Sequence, residues 1–298
     1  MPSQTPISSS ADKKIDLDSL AKTALLIRRD IIKMLGVAGS GHPGGSLSVT
    51  DILTVLYFHF LRHDPKNPRW PDRDRLIFSK GHACPALYSA LARSGYFDKK
   101  ELLTLRKLGS PLQGHPDMRR LPGIEASTGS LGQGLSFGIG CALAARFDKK
   151  NFTTFVVMSD GELDEGQTWE AAAFASFHKL SNLITILDYN KYQLSGATKD
   201  ILDMEPVVDK WKAFGWETRE IDGHSLKEIF DGIAWAKSAK SAPRILVAHT
   251  VKGKGVSFME NNNHFHGVAP TKDETAKALK ELGENDSEIQ KIIGMIHS

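Results

Sequence analysis

Cys84 and Cys141 are the only cysteines among 298 residues. They stand too far apart for CxxC chemistry and are too few for a disulfide framework, which excludes a stapled secreted scaffold and fits a reducing cytoplasm. The chain has no apolar run of about 18 residues, and its first fourteen residues, MPSQTPISSSADKK, lack the apolar stretch of a signal peptide. Neither a membrane span nor secretion is expected. Excess charge is missing too: 38 Lys+Arg against 35 Asp+Glu leave +3. Both signs are interspersed, which argues against nucleic acid as a partner and leaves a small anionic ligand open. HExxH and paired Cys/His spacing are absent, so zinc carries little weight, and the Gly-rich segment Ser127 to Gly140 matches neither GxGxxG nor GxxxxGKS/T.

What is present is 41% hydrophobic and 24% charged residues, enough to bury about 75% of the surface the unfolded chain would expose. The Ser/Pro/Thr-rich residues 1–14 read as a disordered tail, and the texture beyond favours one domain over 15–298. Leu20, Leu25, Ile27, Ile31, Ile32 and Leu35 recur near helical spacing until Gly36 and Gly39, so a first helix should deliver a Gly-rich loop. Helical pattern returns at Val49 to Leu61, Ala83 to Arg93, Lys99 to Lys107 and Gly132 to Phe147, which makes the first half mostly helical. From residue 152 short β-branched runs appear, Phe152 to Met158, Leu183 to Leu187, Trp216 to Ile221 and Arg244 to His249. Helical stretches at Thr168 to Lys179, Pro206 to Phe214 and Leu226 to Ala239 separate them, and amphipathic helices follow residue 271. The alternation predicts an α/β fold, a doubly wound, mostly parallel sheet with its ligand crevice at the C-terminal ends of the strands.

The first of these strands is followed by SDGELDEGQTWE (Ser159 to Glu170) and the next ends in DYNKY (Asp188 to Tyr192). Asp160, the Asn190 amide and the carbonyl of Tyr192 together offer three oxygen ligands to a hard cation, leaving positions for phosphate oxygens and water. Gly161 would allow close backbone approach, and a helix starting near Gln167 would present its positive end. Taken alone, Asp160 and Asn190 are equally ordinary turn formers. Five histidines sit beside glycine: SGHPGG (His42), KGHACP (His82), QGHPD (His115), DGHS (His224) and HFHG (His266). Glycine-flanked loops point side chains into clefts, although a lone histidine is more often a satisfied structural residue. STGSLGQGLSFGIG (Ser127 to Gly140) can lay backbone N–H groups against a phosphate, or simply pack a helix closely. In TVKGKGVS, Lys252 and Lys254 could meet an anion or sit in a solvated turn.

In this order, SGHPGG, SKGHA, GHPD, TGSLGQGL, the SDG and DYN pair, and KGKG with HFHG make the chain resemble the N-terminal half of transketolase, from about residue 20 to 270. The resemblance implies thiamin diphosphate as cofactor, with Mg²⁺, or Ca²⁺ or Mn²⁺ in its place, held by Asp160, Asn190 and Tyr192. It implies that His82, Gly161 and Lys252 face the diphosphate and that Gly129, Ser130 and Leu131 hold the cofactor's middle. His42, His115 and His266 would face the hydroxyl groups of a ketose donor, His266 also bordering the cofactor, and Glu165 would link paired cofactor sites. The metal loop reads SDG where the family usually has GDG, and HFHG has phenylalanine where tryptophan is common; neither change removes a ligand. A transketolase is roughly twice as long, and the other half carries the glutamate that activates the aminopyrimidine. The expectation is therefore the N-terminal subunit of a split transketolase of the pentose phosphate type, working on sugar phosphates with a C-terminal subunit in a cytoplasmic α2β2 heterotetramer. The corresponding subunit of a 1-deoxyxylulose-5-phosphate synthase-like or 2-oxo acid dehydrogenase-like enzyme, or a non-catalytic homologue, is the alternative. A donor bearing sugar hydroxyls explains GHPGG, GHPD and HFHG together best.

Overall fold

A run such as Phe155-Val156-Val157-Met158 is apolar on both faces of an extended chain, so it needs cover on both sides. The computed structural model, which describes residues 15–296, supplies it. The stretch expected to be disordered lies outside the described residues.

Five parallel strands form the main sheet: β1 (Arg75–Phe78), β2 (Thr154–Ser159), β3 (Leu183–Tyr189), β6 (Glu217–Asp222) and β7 (Arg244–His249), in the order β1-β2-β3-β7-β6. A separate antiparallel pair, β4 (Tyr192–Gln193) and β5 (Gly196–Ala197), directly follows β3. In register, Val156 lies beside Thr185 and Ile186 beside Leu246. The helices are α1 (Leu17–Ala38), α2 (Pro43–Ser48), α3 (Thr50–Val55), α4 (Cys84–Ser94), α5 (Gln133–Phe147), α6 (Gly166–Phe177), α7 (Thr198–Ile201), α8 (Val207–Ala213), α9 (Leu226–Lys237), α10 (Lys272–Glu281) and α11 (Asp286–Met295).

Alternate strand residues feed two cores. Phe155, Val157, Ile184, Ile186 and Leu246 pack with apolar residues of α1, α3, α4 and α9–α11. Val156, Met158, Leu183, Leu187 and Ile245 pack with those of α5, α6 and α8. The chain leaves β3 through α8 on one face and enters β7 from α9 on the other, so the connections diverge between the two central strands. An open sheet collects its ligand at such a reversal.

The doubly wound reading holds, with local corrections. Strand β1 interrupts the half read as helical, so the Ser159 to Glu170 loop follows the second strand, and the KGHA segment leaves β1 at the same sheet edge. SGHPGG is a loop only as far as His42: Pro43 starts α2, all six residues of which are buried. The Val49 to Leu61 stretch divides into α3 and a π turn, Leu56–Phe60, while Lys99 to Lys107 keeps only a 3₁₀ helix, Lys99–Thr104. Helix α6 begins at Gly166, after a 3₁₀ turn, Asp160–Asp164, that itself carries Asp160 and Gly161.

Helix α5 lies so close to the sheet that a Cβ at Gly134 would meet Ser79 Oγ at 2.2 Å and its Cα at 2.8 Å, whereas one at Gly140 meets nothing within 4 Å. Gly134→Val should therefore cost about 1–3 kcal/mol through overpacking. Gly140→Ala should stabilise the isolated chain by up to about 1 kcal/mol through helix propensity. Chemical unfolding of both variants checks this, and equal midpoints would contradict the close packing.

Candidate active site

Loops from four strand ends meet in a cleft of about 220 Å³. Asp160, at the end of β2, is 2% exposed. Its carboxylate accepts hydrogen bonds from the backbone N–H of Gly161 at 3.1 Å and from that of Lys191. Burial, with the neighbouring Asp188 charge, pushes its carboxyl up to about 7, against the pull of Lys80. Asn190 follows β3 and accepts from the Tyr192 N–H at 3.1 Å. Gly161, Asn190 and Tyr192 all border the cleft. A Cβ at Gly161 would touch only Gln193, at 3.4 Å, so the space before its backbone is open to a ligand.

Across the cleft stand the histidines. The His42 ring centroid lies 5.3 Å from that of His82, 5.8 Å from His266 and 6.5 Å from His115, and His82 stacks on His266 at 5.7 Å. Burial, with neighbouring cations, lowers His42 to about 4 and His266 to about 3, and holds His82 well below and His115 below the ordinary imidazole value. All four are neutral at pH 7. His42 Nδ1 is buried without a hydrogen-bond partner. Lys252, 1% exposed, donates to Asn263 Oδ1 at 2.9 Å and to His266 Nδ1 at 2.5 Å. Burial lowers its ammonium to about 8, so it remains charged at neutral pH and leaves the His266 proton on Nε2.

Gly129, with φ of 156°, passes so near His115 that a Cβ would stand 2.9 Å from its ring, and a Cβ at Gly81 would stand 2.5 Å from the Thr128 carbonyl. These glycines let the His82 loop, the His115 loop and the Gly129-Ser130-Leu131 segment close together. Gly129 and Leu131 border the cleft, Ser130 between them is exposed, and His115 stands just outside the lining. Glu165 is the exposed residue preceding α6. His224 does not join the cluster: it bonds Asp51 and the Val251 N–H instead.

Three residues of the site were not singled out from sequence. Lys80 is wholly buried and bonds the equally buried Asp188, which also accepts from Ser48 Oγ at 2.6 Å and from Thr250 Oγ1. Glu162, 0% exposed, accepts from Ser159 N at 2.8 Å, Gly132 N at 3.1 Å and Ser79 Oγ, tying three loops together. Leu194, on the β4–β5 turn, borders the cleft although 68% exposed. A lysine directly before GH was the available signal for the first; the others carried none.

The arrangement suits a hard cation and an anion on one side and a polyhydroxylated molecule on the other. The chain is similar to the 6-deoxy-6-sulfo-D-fructose transketolase subunit of a Clostridium strain, 46% identical over 91% of this chain and 98% of the relative. It is also similar to one of the subunits of the apulose-4-phosphate transketolase of Phocaeicola vulgatus, 40% identical over 89% of this chain and 94% of the relative. Human transketolase is 38% identical, but this chain covers 93% of itself and only 44% of that protein. In three dimensions it resembles the transketolase of Campylobacter jejuni with a TM-score of 0.85 and 33% identity, covering 46% of that chain. Residues 19–294 match the family described as "Transketolase, thiamine diphosphate binding domain", and the chain belongs to that family.

Proposed function

We propose that the chain is the N-terminal subunit of a two-chain transketolase, moving a two-carbon ketol unit from a ketose phosphate to an aldose phosphate. One observation carries this: the chain matches 94–98% of relatives named as transketolase subunits, yet 44% of a single-chain transketolase. The cleft supports it. Thiamin diphosphate, when bound, supplies a carbanion and an electron sink for breaking the bond between donor C2 and C3. Asp160, Asn190 and the Tyr192 carbonyl would hold Mg²⁺, whose preference for oxygen ligands that donor set meets. His82, Gly161 and Lys252 would face the diphosphate, and Gly129, Ser130 and Leu131 the cofactor's middle.

The donor's C3 hydroxyl must lose a proton, which suits a neutral imidazole with a free lone pair. The unpartnered Nδ1 of His42 supports that residue as the base. His266, whose Nδ1 accepts from Lys252, is left to donate through Nε2, and His115 would bond the two-carbon fragment. Glu165 keeps its reading as a link between paired sites, and residues 15–298 that of one unit.

A partner is supported by the surface. Helices α5 and α6 start at the cleft, where a Cβ at Gly132 would stand 2.7 Å from Glu165, and run on side by side. Their outer faces expose Phe137, Phe147, Phe174 and Phe177, the second and fourth at 82% and 81%. Such apolar surface beside a site marks a protein interface. We assign it to a C-terminal transketolase subunit carrying the aminopyrimidine-activating carboxylate, in an α2β2 heterotetramer. Mixing the separately purified chains should create ketol transfer and shift the mass to a heterotetramer; full activity from this chain alone would refute the reading.

In the assembled enzyme, Asp160→Ala and Asn190→Ala should abolish metal-dependent cofactor binding, because a desolvated diphosphate needs its counter-charge. Titration calorimetry with thiamin diphosphate and Mg²⁺ reads this, and near-normal affinity sinks the metal assignment. His42→Ala and His266→Ala should lower turnover by about two to four decades with little change in cofactor affinity, whereas His82→Ala should weaken the cofactor. Three identical phenotypes would contradict the division of roles.

A further inference from the structure

His224 shares its glycine-flanked setting with the cleft histidines but works outside the cleft. Both ring nitrogens are engaged: Nδ1 lies 2.8 Å from Asp51 Oδ2, and Nε2 lies 2.8 Å from the Val251 amide nitrogen. A backbone N–H can only donate, so Nε2 accepts and the proton sits on Nδ1, directed at the carboxylate. Asp51 is in turn gripped by both terminal nitrogens of Arg28, at 2.9 and 2.6 Å, and Arg28 Nε donates to the Lys254 carbonyl at 3.1 Å. Burial works against the Asp51 charge, but Arg28 and His224 hold its carboxyl below the usual carboxylate range.

Two points of the segment after β7 are thereby fastened, Val251 through its N–H and Lys254 through its carbonyl. Thr250, just before them, bonds Asp188. Lys252 lies between these tethers. Its side chain is wedged in the cleft, where a Cβ on Gly44 would stand 2.9 Å from it, and its backbone carbonyl accepts from Asn261 at 2.8 Å. A shift of the segment by a few tenths of an ångström would carry the ammonium away from both His266 and the diphosphate side of the cleft. Groups held to such tolerance depend on the hydrogen bonds behind them.

We propose that His224, braced by Asp51 and Arg28, is a positioning residue that sets Lys252 for the cofactor's diphosphate. The proposal rests on the assignment of Lys252 to that diphosphate, and its test separates the two. His224→Phe keeps ring volume and removes both hydrogen bonds; His224→Gln can again donate to Asp51 and accept from Val251. Hydrogen exchange of peptides covering residues 250–256 needs no cofactor and reads the clamp directly. Exchange should accelerate in the Phe variant and return toward wild type in the Gln variant. In the complex with the C-terminal subunit, His224→Phe should raise the Kd of thiamin diphosphate with Mg²⁺ about 10-fold, with most of the loss recovered by Gln. Added to Lys252→Met, it should cost less than about twofold more, since coupled residues do not add. Nitrogen NMR of the wild-type chain should show His224 as the Nδ1–H tautomer, a reading independent of any variant's folding.

Unchanged exchange in the Phe variant, or the opposite tautomer, overturns the clamp. Additive losses in the double variant overturn its action through Lys252. A wild-type complex that binds no thiamin diphosphate refutes the functional reading, while the exchange result still decides the clamp.

Discussion

Lys80 and Asp188 are each wholly buried, and neither side chain has any solvent to hold its charge. Removing an ion from water costs several kcal/mol even after relaxation, and breaking such a pair by deleting one partner costs about 3–5 kcal/mol. The rest of the cleft is arranged around this pair. Lys80 follows β1, Asp188 is the penultimate residue of β3, Ser48 comes from α2 and Thr250 follows β7, so a single carboxylate gathers four segments that are remote in sequence. Once that knot is tied, Asp160, Asn190 and Lys252 have little freedom in where they stand.

The charges in the cleft complement one another. Asp160 is bonded by backbone N–H groups, and its oxygens with those of Asn190 and Tyr192 suit a divalent cation. Lys252 and Lys80 add positive charge beside them, and the four imidazoles are kept neutral by burial and by the neighbouring cations Arg106, Lys80 and Lys252. Neutral rings neither repel a cation nor attract a second anion, and their nitrogens can still bond hydroxyl groups. The apolar outer faces of α5 and α6 start where this polar cleft ends, which suits a cofactor held between unlike chains.

Much of this was legible in the sequence because its signals are local. The short β-branched runs of β2, β3 and β7 read as buried strands, and ordered motifs placed glycine beside histidine in a pattern that specified chemistry. Strand β1 was hidden because three apolar residues, Leu76, Ile77 and Phe78, sit between arginines and a polar loop, too short a run to show a period. Gly44 and Gly45 of SGHPGG, read as a loop, enter a helix because Pro43 can occupy a first helical turn. Lys80 went unread because a lysine is expected at the surface, and only tertiary pairing with Asp188 explains its burial. His224 carried the same local signature as the cleft histidines, and nothing short of the fold could show that its partners are Asp51 and Val251. Local pattern reports residue type and spacing; which strand end a residue is carried to depends on sheet order.

The central claim is that the oxygen cluster at the ends of β2 and β3 is where metal and diphosphate bind together. Crystals of the chain with its C-terminal subunit, grown with thiamin diphosphate and Mn²⁺ in place of Mg²⁺, would test it by anomalous scattering. The account predicts one Mn²⁺ peak per chain, bounded by Asp160, Asn190 and the Tyr192 carbonyl, with the diphosphate beside it and Lys252 within hydrogen-bonding distance. A cofactor bound with its metal peak anywhere else in the complex would contradict it.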